Sequence, residues 1–201
     1  GHAYSRAGVA AFTTSTGYGI AKYDNPEELS VSDRNNIGYQ YTDCPLYWIS
    51  VIYLNFAEAK AEMGSLTQDD LNNSINKLQA RAGLPAMTTT PDADPANNMG
   101  VSNLIWEIRR CRRCELIMDN WYRYWDLIRW HQLDKLDSTK YPNTMLGANV
   151  SNVPDCEEAT KNGYIDASDA QIRTYEAKHY FYPIPTTQLT LNKNMKQNPG
   201  W

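Results

Sequence analysis

Glu58 and Glu115 are the two carboxylates in this sequence whose surroundings invite chemistry. With successive residues rotated by about 100° on a helix, Glu115 shares a side with Leu104, Ile108, Cys111 and Met118. Glu58 falls close to Val51 and Leu54 in the same way. A carboxylate on an apolar face is either an acid held protonated or one half of an ion pair, because an unpaired buried charge is costly. The arginines decide for pairing. Arg109, Arg110, Arg112 and Arg113 crowd the other side of the Glu115 stretch, and Arg81, Arg112 and Arg129 are the candidate partners of Glu115. Glu58, Glu115, Arg81, Arg112 and Arg129 are therefore read as structural ion-pairing residues, not as a catalytic set.

The thiols and rings come next. Cys111 and Cys114 have CxxC spacing inside a helical stretch, where i, i+3 neighbours hold their Cβ atoms about 5–6 Å apart. A disulfide needs about 3.8 Å, so the pair is expected to be unbridged, both thiols reduced and buried as small apolar groups. The state of Cys44 and Cys156 stays open. Fourteen Tyr and six Trp against three Phe make an unusual aromatic balance, and such rings offer a flat apolar face with a polar tip. Binding residues concentrate on loops. Tyr18, Tyr23, Tyr141 and Tyr164 are thus the candidate ligand contacts, whereas Trp125 and Trp130, on helix faces, are expected in the core.

No nucleophile elbow, phosphate-cradling glycine loop or metal-ligand spacing occurs in the sequence, and no enzyme activity, cofactor or metal is expected. Asp92 and Asp94 lack the glycine and distal glutamate of a calcium loop. A net charge of -4 argues against nucleic acid, which needs a basic footprint. A mean hydropathy of -0.61 argues against a membrane-spanning helix.

The elements that must position these groups read as helix pairs. Pro45 is expected to open a helix capped by Asp43, running to residue 63 and stopped by Gly64. Its stripe Ile49, Ile52, Tyr53 and Phe56 is extended round the cylinder by Trp48, Val51 and Leu54, which predicts burial on most sides. Thr67 caps a second helix to residue 82 with the stripe Leu71, Ile75 and Leu78, ended by Gly83. A second pair is expected over 102–119 and 122–135. Residues 86–100 and 138–180 are breaker-rich connections, with a short strand expected around Gly19–Tyr23 and little sheet otherwise.

The segments RRCRRCEL and RYWDLIRW resemble the paired signature of the SusD/RagB family. TDCPLYWISVIYLNFAEAKAEMG, INKLQARAGLP and YPIPTTQLTLNKNMKQNPGW match it in the same order. Cys111 stands where that family usually has Glu, and the DNWY linker is about one residue longer than the family's. The resemblance implies a mainly α fold of tetratricopeptide-like helix pairs with long irregular loops and minimal β structure. It implies a single domain over 1–201, the C-terminal half of a longer protein, with a loop-rich lead-in 1–43, a helical core 44–136 and a covering segment 137–201. It further implies a non-catalytic glycan-binding subunit of starch or polysaccharide type. Such a subunit works with a SusC-like TonB-dependent transporter as a surface lipoprotein of the outer membrane, its lipid anchor outside this sequence. Peptide capture, or a helical scaffold with no ligand site of its own, are the alternatives.

Overall fold

The computed structural model describes residue 14, residues 16–18, 30 and 32, and residues 46–119, 121–153, 160–168 and 171–201. The expected strand around Gly19–Tyr23, the cap Asp43, Cys44, Pro45 and Cys156 lie outside them. The chain divides into two compact units, residues 45–130 and residues 131–201 with 1–44. Among the described residues it is mainly α-helical, with one small sheet.

In the first unit, α1 (Ile49–Glu62) begins later than proline placement suggested, after an extended Trp48 that supplies no side-chain cap. Its end follows the sequence closely. Gly64 takes φ +66°, Ser65 N–H donates to Lys60 O at 2.9 Å and Gly64 N–H to Ala61 O at 3.0 Å. This is a Schellman closure, in which a left-handed glycine lets the chain turn back onto the last carbonyls.

The second helix is broken where the sequence suggested continuity. It divides into α2 (Gln68–Asn72) and α3 (Ile75–Arg81). Asn73 Nδ2 donates to Asp69 O at 2.9 Å and Ser74 Oγ to Asp70 O at 2.5 Å. Polar side chains that take helical carbonyls bend or end a helix. Thr67 does cap α2: Asp70 N–H donates to Thr67 Oγ1 at 3.2 Å while Thr67 N–H donates to Asp70 Oδ2 at 2.9 Å. Leu71, Ile75 and Leu78 all face the core across the break.

The phase of α1 is the main correction. Leu54, Ala57 and Glu58 are its buried residues together with Ser50, whereas Ile49, Ile52 and Phe56 are 63%, 60% and 43% exposed. A helix apolar on nearly every side carries no phase information in its pattern, so burial on most sides did not follow. The core joins Leu54 and Ala57 to Leu71, Ile75, Leu78, Met87, Ile108, Cys111 and Leu116. Met87 is fixed there by Asn76, whose amide accepts from Met87 N–H at 2.7 Å and donates to Met87 O at 3.1 Å.

The second pair is shorter than expected: α4 (Asn103–Glu115) is capped by Ser102, and α5 covers Tyr122–Arg129. Between them Met118 and Trp121 adopt φ +63° and +59°, and His131 at +53° follows the end of α5. Left-handed backbone at non-glycine residues ends these helices where no glycine is available. A 3-10 turn, Leu133–Leu136, replaces the expected last helical turn.

The second unit holds β1 (Leu146–Asn149), β2 (Thr160–Lys161) and β3 (Tyr164–Asp166) in an antiparallel sheet of order β1-β3-β2. Thr16 runs beside β1 and accepts from Ala148 N–H at 2.8 Å. A Cβ at Gly147 would stand 2.3 Å from Thr16 O, so only glycine permits that approach. Helix α6 (Thr186–Leu191) leads into the C-terminal tail, whose Trp201 indole donates to Phe181 O at 2.8 Å.

Candidate functional site

A chain of ion pairs holds α1, α4 and α5 together. Glu58 is 3% exposed and accepts three bonds: Arg109 Nε at 3.0 Å, Arg129 Nη2 at 2.5 Å and the Trp130 indole N–H at 2.7 Å. The Arg109 and Arg129 guanidinium carbons each lie 4.6 Å from the Trp130 ring centroid. Burial alone would raise the Glu58 carboxyl. The Arg129, Trp130 and Arg109 contacts outweigh it and hold Glu58 below its ordinary value. It is ionised at neutral pH and its lone pairs are occupied, which suits a fastening role and not acid catalysis.

Arg129 also donates through Nε to Asp126 at 2.9 Å, and Arg112 Nε reaches the other Asp126 oxygen at 2.7 Å. Arg112 adds Asn55 Oδ1 at 2.7 Å. Arg112 and Asp126 are both buried, so Arg112 is an ion-pairing residue whose partner is Asp126 and not Glu115. Glu115 is held by Arg81 through two bonds of 2.6 and 2.7 Å, while Arg112 and Arg129 turn to Asp126 and Glu58. Asp126 was missed in the sequence although it sits inside RYWDLIRW; its i, i+3 spacing to Arg129 is the signal that marks it.

Cys111 is buried and Cys114 exposed, both as free thiols. Burial, then the nearby Glu115 charge, pushes the Cys111 thiol up to about 12, far from a nucleophile's range. The expectation that both thiols are buried is thus corrected at Cys114. Asp94 accepts from the Trp106 indole at 3.0 Å and from Ala96 N–H at 2.8 Å, which is loop architecture.

The proposed ligand rings lie mostly in the second unit. Tyr18 is 63% exposed and follows Gly17, whose Cβ position meets Ile165 and Ala148, so it leaves the backbone beside the small sheet. Tyr164, 37% exposed, stands on β3 next to Ile165, which is fully buried. Strand alternation therefore turns Tyr164 to the face opposite Ile165. Tyr141 is half-buried and occupied: Lys135 Nζ lies 4.8 Å from its ring centroid and 3.3 Å from its hydroxyl. Tyr23 lies outside the described residues.

One ring runs against expectation. Trp130 is buried, but Trp125 is 55% exposed and Trp121 82% exposed. Trp125 stands on α5 opposite the inward-facing Leu127, and Trp121 is the left-handed residue that precedes the helix. Their neighbour Tyr124 packs edge-on against Trp125 at 5.6 Å and 68°. A cavity of about 540 Å³ elsewhere in this unit is lined by Leu84, Met87, Asp92, Glu107 and Arg110 among others.

No match is found among curated proteins. Among solved structures, a SusD-like protein from Bacteroides fragilis is similar, with a TM-score of 0.52 and 25% identity. The match covers 76% of this chain and 25% of that one, so the chain spans a quarter of the length of that structure. The SusD family profile matches residues 2–201. With the profile spanning nearly the whole sequence and the helical architecture matching a SusD-like structure, the chain belongs to the SusD family.

Proposed function

We propose that this chain is part of a non-catalytic glycan-capturing lipoprotein of the outer membrane, which passes starch- or polysaccharide-type ligands to a SusC-like TonB-dependent transporter. Family membership supports the general role. The observation that carries this chain's share of it is the exposure of two tyrosines, Tyr164 on β3 and Tyr18 in the segment that runs beside β1. Sugar rings stack on accessible aromatic faces, and a hydrogen-bonded sheet holds such faces at little entropic cost. Tyr141, clamped by Lys135, contributes an edge and its hydroxyl. Attachment to the membrane is through the lipid anchor of the whole protein; no described helix is long and apolar enough to cross a bilayer.

Titration calorimetry on a polysaccharide panel tests this reading. The chain alone should bind in the millimolar range, about 4 kcal/mol, since the site is shared with the rest of the protein. Tyr18→Ala with Tyr164→Ala should abolish that heat. Unchanged binding in the double variant overturns the choice of rings. A second reading, a helical scaffold for protein contact, is favoured by the exposed apolar row Ile49, Ile52, Phe56 and Met63 along one side of α1. Peptide capture would appear as binding to peptides and to no glycan.

A further inference from the structure

The cavity of about 540 Å³ in the first unit is lined by residues of α3, of the loop over 84–92 and of α4. Its size is that of a small-molecule site. The loop is tied to helices at two points. Asn76 grips Met87 by both N–H and carbonyl, and Gln68 Nε2 donates to the same carbonyl at 3.0 Å. Asp94, two residues past the cavity wall, accepts from the Trp106 indole of α4. A wall fastened in this way is formed before any ligand arrives, which lowers the cost of binding.

The polar groups lining the cavity are largely unused. Gln79 comes from α3 and is 8% exposed. Its amide nitrogen meets Cys111 Sγ at 3.9 Å, a weak acceptor. Its amide oxygen accepts no hydrogen bond from any described residue, and a buried acceptor is costly to leave unmatched. From α4, Glu107 and Arg110 line the same cavity, joined through Glu107 Oε2 and Arg110 Nε at 2.6 Å. That bond cancels their charge but uses one acceptor and one donor. The Arg110 Nη groups and Glu107 Oε1 stay open. The hydroxyls of Thr88 and Thr90 can both donate and accept. Leu84, Met87 and Pro91 supply apolar wall, and no aromatic ring is among the described residues that line it.

We propose that this cavity is a second saccharide subsite, which takes one neutral sugar residue and selects it by the configuration of its hydroxyls. The inference rests on the glycan-capture reading and adds to it a place where sugar identity is read. A neutral polyol suits the lining better than an ion or a peptide terminus. The guanidinium is already compensated by Glu107, and Asp92, the remaining charge on the wall, is exposed and screened. Hydroxyls match mixed donors and acceptors, and the aliphatic wall suits the C–H faces of a ring. With no aromatic platform, recognition falls to hydrogen bonds. An epimer that turns a hydroxyl away leaves the Gln79 amide unmatched, so discrimination is strong.

The test is proton–nitrogen NMR of the full chain, titrated with the methyl glycosides of glucose, mannose and galactose at millimolar concentrations. At least one should shift the Gln79 side-chain amide together with backbone amides of residues 86–92. Its affinity should exceed that of an epimer about tenfold or more. Glu107→Ala with Arg110→Ala removes a pair whose arginine is 49% exposed, so the rest of the spectrum should persist while the cavity shifts vanish. Gln79→Met keeps the volume and should erase the discrimination. Tyr18→Ala with Tyr164→Ala, in the other unit, should leave the cavity shifts intact. Galacturonate, methyl glucosaminide and trialanine probe anionic, cationic and peptide ligands. Tighter binding of any of the three overturns the proposal, as does equal affinity for all three neutral glycosides. Cavity shifts that survive the Glu107 and Arg110 replacements overturn it too. No cavity shift with any glycoside overturns the proposal, while polysaccharide heat in calorimetry keeps the glycan-capture reading standing. No cavity shift and no such heat overturn both.

Discussion

Arg112 and Arg81 each make an ion pair of about the same length, but their surroundings differ. Arg112 and Asp126 are 5% and 6% exposed at their side chains, while Arg81 is 61% exposed against 12% for Glu115. Removing one member of a buried pair strands the other without solvent. Asp126→Ala should therefore cost about 3–5 kcal/mol in urea unfolding. Glu115→Ala should cost about 1 kcal/mol or less, because Arg81 simply returns to water. From helical phase alone Glu115 looked the more critical, since spacing does not reveal how exposed its partner is. The thiols follow the same rule of environment. At pH 8 iodoacetamide should modify Cys114 and spare Cys111, and mass spectrometry without reduction should find no peptide linking them. Asp70 and Asp137 add a pH dependence. Lys60 and Thr67 lower Asp70 from 3.8 to about 2, and Thr139 with the Tyr175 N–H lowers Asp137 equally. A depressed carboxyl binds its proton more readily when unfolded, so its contribution is present above pH 3.8 and is lost as pH falls toward 2. The melting temperature should drop across that window. Asp70→Asn with Asp137→Asn should melt lower at neutral pH and show a flatter profile.

At the scale of elements, local signals were legible where one residue type does one job. Thr67, Gly64 and Gly83 mark helix ends because a cap needs an oxygen and a left-handed turn prefers glycine. The stripe Leu71, Ile75 and Leu78 was legible because polar residues surround it. Two features were not. The break at Asn73–Ser74 depends on side chains choosing carbonyls over solvent, and α1 is apolar on too many sides for its inward face to be read. That face is now testable. Leu54 is fully buried and Ile52 is 60% exposed. Leu54→Ala should cost about 2–5 kcal/mol, whereas Ile52→Lys should stay within about 0.5 kcal/mol. A large loss at Ile52 would mean that the outer row of α1 is covered in solution.

For the whole molecule, the two units divide the work. Residues 45–130 build a helical frame fastened through Glu58 and Asp126, and residues 131–201 carry the small sheet with Tyr164 and, beside it, Tyr18. Family kinship was legible from the ordered motifs because they encode that frame: RRCRRC and RYWDLIRW hold Arg109, Arg112, Asp126, Arg129 and Trp130. The binding surface was less legible. Exposure of a ring is set by tertiary packing, which is why Trp125 was placed in the core and Trp121 passed over. The central proposal is that this chain is part of a capture protein and not of an enzyme. Native electrophoresis through gels cast with individual neutral and acidic polysaccharides reads it most directly, because weak binding to a dense polymer still slows migration. The account expects retardation in at least one gel, with no reducing ends released when the same polymer is incubated with the protein. Unretarded migration in every gel, or release of reducing ends, would contradict it.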